Sequence, residues 1–335
     1  WPLYRLALAF IIALVTVMGY LGFFAVMRAP QLQASALNPR LALWQKAADR
    51  GGIEDRNGEI LAETVNGRRL YPWGRAAAPV TGYLAERYGY AGVEAAANDW
   101  LAGLTGREGL RNKLRRLAGR RAKGYDVILT LDMALQAKAM TLLGERRGAV
   151  VVLEPQTARV LALASTPSFD PEEIERRWPQ LSRDPDAPLF NRALNGLYPP
   201  GSVAKLLTAA VALETDPAAR QRQFSCPGYL EIGGRRLRCT RAHGVVNLQE
   251  ALVHSCNAAV GRLALTLNTQ DFGRAAAAWG FGRPVPFDLP TAASSFPLGR
   301  LEANGLVEAA IGQGKVMMTP LHVAWLTAAV ANGGS

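Results

Sequence analysis

The sequence predicts an α+β fold carried behind a single membrane-spanning helix, and three patterns predict it. A mostly apolar run of 22 residues, Leu6 to Met27, lies between Arg5 and Arg28 and is long enough to cross a bilayer as a helix. Two pairs of apolar runs, one pair around Asn57-Gly58 and one around Pro155-Gln156-Thr157, have the form of β-hairpins. From Ser202 onward, stretches rich in Ala and Leu alternate with Gly-rich turns and read as helices.

The apolar run is read as an anchor, because a cleaved signal peptide has a shorter apolar core and a small-residue cleavage site. The chain opens on Trp1 rather than Met, so sequence ahead of it is expected. After the anchor, Arg50 to Ala62 reads as strand, Asn-Gly turn and strand. A mixed, loop-rich segment follows to about Gly124. Asp126 to Asp132 is strand-like and opens a helix through Leu143, and Gly148 to Glu154 with Arg159 to Ser165 forms the second hairpin. Pro167 to Pro188, rich in Pro and charge, is expected to be a surface loop. Thr319-Pro320 opens the last helix as N-cap and first residue, and Asn332-Gly333 closes it. The expected domains are an anchor at 1–28, a small β-rich pedestal at 29–124 and a second domain at 125–335.

The formal net charge is +11 and mostly diffuse. One cluster, Arg107 to Lys123, sets eight basic residues against Glu108 alone. It reads as a solvated helix or loop, with contact to lipid head groups or an anionic polymer as the alternative. The chain carries no nucleic-acid recognition motif, so no nucleic-acid partner is expected.

Six of the 38 basic residues are lysine: 46, 113, 123, 138, 205 and 315. Arginine cannot serve as a base, since its pKa lies too high. The sole S-x-x-K, Ser202 to Lys205, follows Pro199-Pro200-Gly201 and opens an Ala/Leu-rich stretch. Positions i and i+3 share a helix face, so hydroxyl and amine can touch. The helix N-terminus and burial both favour a neutral amine, the form that can take a proton from serine. Downstream stands the only S-x-N, Ser255-Cys256-Asn257.

All three cysteines and one histidine fall within 31 residues in the spacing C-x12-C-x3-H-x12-C: Cys226, Cys239, His243 and Cys256. These supply a Cys3His set for a structural zinc. The alternative is a Cys226–Cys239 disulfide with Cys256 as a buried small hydrophobe. His254 and His322 fit no constellation and read as structural.

S-x-x-K followed by S-x-N occurs in serine acyl-transfer enzymes that complete the site with K-[ST]-G. Around these motifs the chain resembles the transpeptidase domain of class B penicillin-binding proteins, of the elongation type. The resemblance extends over the hairpin from Arg50, Leu129-Thr130-Leu131-Asp132 with Leu135-Gln136, and Gly148 to Leu153. It continues through Ala164 to Asp170, Asn191-Arg192-Ala193, Tyr198 to Lys205, Ile311 to Gly314, and Thr319-Pro320-Leu321. It implies a β-lactamase-like domain, an antiparallel sheet flanked by helices, and a pedestal reduced in size.

The resemblance also implies a single-pass enzyme with its catalytic domain outside the cell membrane, cross-linking peptidoglycan stem peptides and acylated by β-lactams. Ser202 would be the nucleophile and Lys205 its base. Ser255 would relay a proton to the leaving amine. Asn257 would hold the substrate amide and help fix Lys205. The Ser202 backbone N–H would supply half of an oxyanion hole. No cofactor would be needed for catalysis, and zinc would brace the Ser255 loop. The lipid bilayer would hold the anchor, and a membrane glycan polymerase of the SEDS (shape, elongation, division, sporulation) type would supply the strands. K-[ST]-G is absent up to Ser335, so it is expected further along, with the domain incomplete as read. The other readings are a non-catalytic β-lactam sensor or scaffold and a serine β-lactamase. For the β-lactamase, nothing after Asn257 supplies the glutamate that class A enzymes use in deacylation.

Overall fold

The computed structural model describes residues 2–27, 48–106, 109, 111–112, 115, 118, 121–297 and 302–334. Most of the basic cluster and all of segment 29–47 lie outside the described residues. The chain forms two compact units, each assembled from separate stretches of sequence.

The first unit takes in Trp1–Gly52, Thr64–Arg68 and Asp99–Asp126. Its helix α1 (Pro2–Met27) contains a 21-residue span, Leu3–Phe23, of mean hydropathy 2.4 with every side chain exposed. A helix that is apolar all round and covered by no protein is suited to lipid. Among the described residues the remainder of the unit is tied by main-chain and side-chain bonds. Strands Ala48–Asp49 and Ala122–Lys123 pair in parallel. The buried Asn112 amide donates to the carbonyls of Gly103 and Lys123, both at 2.8 Å, and accepts from Lys123 N at 3.0 Å.

The second unit takes in Ile53–Glu63, Arg69–Asn98 and Val127–Ser335. The first expected hairpin is present but short: β1 (Ile53–Glu54) pairs antiparallel with β2 (Ile60–Val65) in the register Ile53 to Ala62. Its turn needs glycine, since Gly58 has φ +86°. Strand β3 (Val127–Ile128) joins β1 in parallel. In the turn from β1 to β2 sits Asp55, 0% exposed, whose carboxylate accepts from the N–H groups of Asn57 (2.7 Å), Glu59 (2.9 Å) and Met133 (3.0 Å). Met133 opens α2 (Met133–Leu143), which Asp132 caps through the N–H groups of Ala134 and Leu135.

Burial alone would raise the Asp55 pKa, but the three backbone donors outweigh it and hold the carboxyl below its ordinary value. Because the folded value is the lower one, this stabilisation is present above the usual carboxylate range and is lost as pH falls through the folded value. Asp55→Ala should therefore cost about 2–3 kcal/mol at neutral pH, since it strands buried donors. It should also remove part of the acid dependence. Thermal unfolding of the detergent-solubilised chain at neutral and acid pH checks both.

The second expected hairpin is β4 (Gly148–Leu153) with β5 (Val160–Thr166), antiparallel. The far edge of β5 is closed by a side chain that imitates a strand. Gln136 of α2 accepts from Leu163 N at 2.7 Å and donates to Leu163 O at 3.1 Å.

Segment 167–188 departs from the expected loop. It contains a 3-10 turn, Pro171–Glu173, and helix α3 (Ile174–Leu181). Asp170 caps the turn and Pro171 sits at its first position, where its missing N–H is no loss. Ile174, Trp178 and Leu181, at i, i+4 and i+7, pack with Tyr83 and Phe169, a stripe that the intervening charges and Pro179 disguise.

The helical half is built around α4 (Lys205–Thr215), which is apolar on two faces because it is covered on both. The expected helices are broken by four strands of three or four residues. These are β6 (Phe224–Cys226), β7 (Tyr229–Ile232), β8 (Arg235–Arg238) and β9 (Gly244–Val246). β6 pairs with β9 and β7 with β8, all antiparallel. Then come α5 (Leu248–Val253), α6 (Asn257–Ala264), α7 (Thr269–Ala278), α8 (Ala303–Ala310) and α9 (Pro320–Ala331). On one side of α4, Ala209 and Ala212 pack with Leu230, Val246, Val260 and Leu263. On the other, Leu207 and Val211 pack with Phe272, Ala276, Leu306 and Ala310. Thr319 caps α9 by accepting from His322 N, as its sequence predicts. The His322 ring is buried with Nε2 at 2.8 Å from the Trp279 carbonyl, a structural position.

Candidate active site

Ser202 lies in a 3-10 turn, Gly201–Ala204, that feeds directly into α4, so Lys205 is the first residue of that helix. The serine is exposed; the lysine is only 2% exposed. Two main-chain bonds, Tyr198 N to Met318 O (3.0 Å) and Met318 N to Tyr198 O (2.8 Å), hold the approach to the turn. Gly201 N donates to Gly312 O at 2.9 Å. A Cβ on Gly312 would stand 2.0 Å from the Gly201 carbonyl oxygen, and Gly312 has φ +72°. Glycine is thus required where the Ile311-to-Gly314 run backs the nucleophile turn.

Ser255 enters from the turn between α5 and α6, where Ser255 N bonds Leu252 O (3.0 Å) and Cys256 N bonds Ala251 O (2.7 Å). Its backbone is left-handed, with φ +49°. This places its hydroxyl 2.7 Å from Ser202 Oγ. Lys205 Nζ donates to the Ser255 hydroxyl at 2.9 Å and to the Ser255 carbonyl at 2.7 Å. Sequence spacing suggests direct contact between Ser202 and Lys205; the hydrogen bonds run through Ser255 instead. Burial lowers the Lys205 pKa from the ordinary lysine value, and the nearby sulfurs of Cys256 and Cys239 offset this only in part.

Asn257 is the first residue of α6, and its amide donates to the Arg238 carbonyl at 2.9 Å. Among the described residues it makes no hydrogen bond to Lys205, so its expected part in fixing the lysine is not what the structure shows. The link from Asn257 to the end of β8, like the Gly312 backing, has no signal in the sequence. In both, the acceptor is a main-chain carbonyl.

Cys226, Cys239, His243 and Cys256 converge, with all four donor atoms within 4.8 Å of one another. Sγ of Cys226 and Cys239 are 3.6 Å apart, Sγ of Cys239 and Cys256 are 3.9 Å apart, and Cys226 Sγ is 3.4 Å from His243 Nδ1. A disulfide requires about 2.05 Å, and the three thiols are free. Four ligands about 2.0–2.3 Å from a central zinc lie about 3.5–3.8 Å from each other in a tetrahedron, so these residues fit that ion. Burial works to raise the Cys226 pKa, but N–H donation from His243 and Gly228 outweighs it and brings the thiol to about 6. Burial pushes Cys256 up to about 12. The exposed His254 ring stacks on His243 at 5.7 Å.

An exposed hydroxyl joined through a second hydroxyl to a buried lysine defines a serine acyl-transfer site. Comparison with known proteins agrees. Residues 148–335 match the penicillin-binding protein transpeptidase domain, and residues 50–127 match the penicillin-binding protein A dimerisation domain. The peptidoglycan D,D-transpeptidase PbpA of Mycolicibacterium smegmatis is 33% identical over 98% of this chain and 72% of its own length. The peptidoglycan D,D-transpeptidase MrdA of Acinetobacter baumannii is 33% identical over 74% of this chain and 40% of its own length. Among solved structures, penicillin-binding protein A from M. tuberculosis as its penicillin G acyl-enzyme superposes with a TM-score of 0.76 at 33% identity, covering 86% of this chain and 72% of that one. The chain belongs to the penicillin-binding protein transpeptidase family, as a class B, PBP2-like member.

Proposed function

We propose that this protein is a peptidoglycan D,D-transpeptidase that cross-links stem peptides in cell-wall synthesis, and that β-lactams acylate the same serine. The observation that carries this is the continuous path from Ser202 Oγ through Ser255 Oγ to Lys205 Nζ. The attacking oxygen forms a bond to the carbonyl carbon between the two D-alanines, and its proton passes through Ser255 to the neutral Lys205. The proton then passes from Lys205 through Ser255 to the leaving nitrogen as the C–N bond breaks and D-alanine departs. An amine on a second stem peptide then attacks the ester carbonyl, and its proton passes through Ser255 to Ser202 Oγ as the ester C–O bond breaks, which frees the serine. Asn257 holds the substrate amide, and the Ser202 backbone N–H donates to the developing oxyanion, a contact worth several kcal/mol in the transition state.

α1 serves as the bilayer anchor, with the transpeptidase domain on the extracytoplasmic side and a SEDS-type glycan polymerase as membrane partner. The pedestal is read at 29–124 and the catalytic domain from 125, with 53–63 and 69–98 packed in the same compact unit as the catalytic domain. The mass of the peptide containing Ser202, measured after incubation with penicillin G, tests the function. An adduct on Ser202, with D-alanine released from a synthetic D-Ala-D-Ala peptide, supports it, and an adduct elsewhere or none refutes it.

The Cys3His cluster would hold a structural zinc through Cys226, Cys239, His243 and Cys256, since a full set of protein ligands leaves no open position for chemistry. The purified chain should contain about one zinc per molecule, and chelation should lower its thermal midpoint. Metal analysis of the wild type beside Cys239→Ser checks this.

A further inference from the structure

The cysteine cluster is built into the same turn as Ser255. Cys256 stands between Ser255 and Asn257 in the chain, and its sulfur caps α6 by accepting from Ala259 N at 3.4 Å. Cys239 holds the first turn of that helix from a different strand. Its sulfur accepts from Ala258 N at 3.3 Å, and the Arg238 carbonyl before it accepts from Asn257 at 2.9 Å. Cys226 is tied to the same group, its carbonyl accepting from His243 N at 3.1 Å. Ser255 itself sits at φ +49°, a conformation that costs energy and persists only while its surroundings enforce it. The sulfurs thus restrain the residue that links Ser202 to Lys205.

Two of these sulfurs form an oxidisable pair. Those of Cys226 and Cys239 are 3.6 Å apart and have roughly 1.5 Å to close before they bond. Cys226 and Cys256 are buried, whereas Cys239 is half-buried and is the member more open to solvent.

We propose that Cys226 and Cys239 form a redox-sensitive latch on Ser255, closed as thiols and released by a peroxide. The inference rests on the transpeptidase reading of Ser202. The step takes two electrons. Cys239 attacks the peroxide, whose O–O bond breaks to give a sulfenic acid and one water, and the Cys226 thiol then displaces a second water as the S–S bond forms. Closure draws the Cys239 sulfur away from Ala258 N, so the start of α6 loses an acceptor and Ser255 loses a restraint on its left-handed backbone. It also leaves only Cys256 and His243 as ligands, too few to keep a zinc. A thiol reductant reverses the bond. The proposed extracytoplasmic placement is where such oxidation takes place.

The test treats the full-length, zinc-loaded chain in detergent with hydrogen peroxide. Three readouts follow: the masses of alkylated peptides, the zinc released, and the rate of fluorescent penicillin labelling of Ser202. The expected result is a Cys226–Cys239 disulfide, loss of bound zinc, and labelling slowed on the order of tenfold or more in proportion to the disulfide. Dithiothreitol with added zinc should restore the rate, which it could not do for oxidised methionine. Cys226→Ser/Cys239→Ser leaves Cys256 without a partner, so peroxide should not change that variant's own rate. Wild type given a chelator in place of peroxide should slow less than the disulfide form and should recover with zinc alone. A disulfide at full labelling rate, a slowed rate with no disulfide, or a different pairing overturns the inference. So does chelation that matches peroxide, which would put the effect in the metal and not in the bond. Peptide mass and labelling are read whatever the metal content, so failure of the zinc reading is told apart from failure of the latch. If the reduced chain takes no penicillin on Ser202, the transpeptidase reading fails and takes the inference with it.

Discussion

Fluorescent penicillin should leave Ser202→Ala unlabelled and should label Lys205→Met on the order of a thousandfold more slowly than the wild type, within the range of general-base contributions. The first variant removes the attacking atom. The second keeps the volume of a buried side chain that packs at the start of α4, so the turn that carries Ser202 is retained. What it removes is the proton acceptor, and the Ser255 hydroxyl then has no amine behind it. Ser255→Ala should fall between the wild type and Lys205→Met, because the base survives but its link to Ser202 is broken. The pH profile carries the same logic. A protonated Lys205 cannot accept a proton, so wild-type acylation should rise with pH through the amine pKa, with a midpoint below the ordinary lysine value because burial disfavours the charge. Lys205→Met should lack that limb. Stopped-flow acylation rates against pH distinguish the two, and an unchanged limb in Lys205→Met would assign the base elsewhere.

Gly312→Ala should slow acylation by about a hundredfold without touching any reacting group, the effect expected of a misplacement near 1 Å. The new methyl would meet the Gly201 carbonyl at 2.0 Å, and no flexible side-chain end is there to yield. Either the Gly201 turn moves, taking Ser202 with it, or the 311–314 run does, breaking the bond from Gly201 N to Gly312 O. Alanine at φ +72° adds backbone strain of its own. Gly282→Ala supplies the control. Its φ is +82°, yet among the described residues nothing lies within 4 Å of the added carbon, so it carries the strain without the clash. Acylation rates measured beside thermal midpoints separate the effects: both variants should lose stability, but only Gly312→Ala should lose rate.

Much of the site was legible in the sequence because its chemistry sits in side chains at fixed spacing. The S-x-x-K turn, the S-x-N and the Cys3His spacing each name residues that the fold brings together. The last helix was legible for a similar reason, since Thr319 and Pro320 act within one turn. What the sequence hid was made by the main chain or by weak patterns. The contact of Gly312 with Gly201, and the carbonyl of Arg238 under Asn257, depend on backbone approach that no side chain announces. The four strands between 224 and 246 are too short for alternation to register, and one is three-quarters arginine. Helix α3 was hidden because Pro179 and its charges outweigh a three-residue apolar stripe in any local count.

The left-handed backbone of Ser255 has a consequence for how this protein can change. A serine there stores roughly 1 kcal/mol or more of strain that glycine would relieve. Selection for heat tolerance alone, with activity unwatched, should therefore enrich Ser255→Gly, a chain that is harder to melt and slower to acylate. Stability and turnover pull against each other at this position, so a thermostable variant that keeps its activity must gain its stability elsewhere.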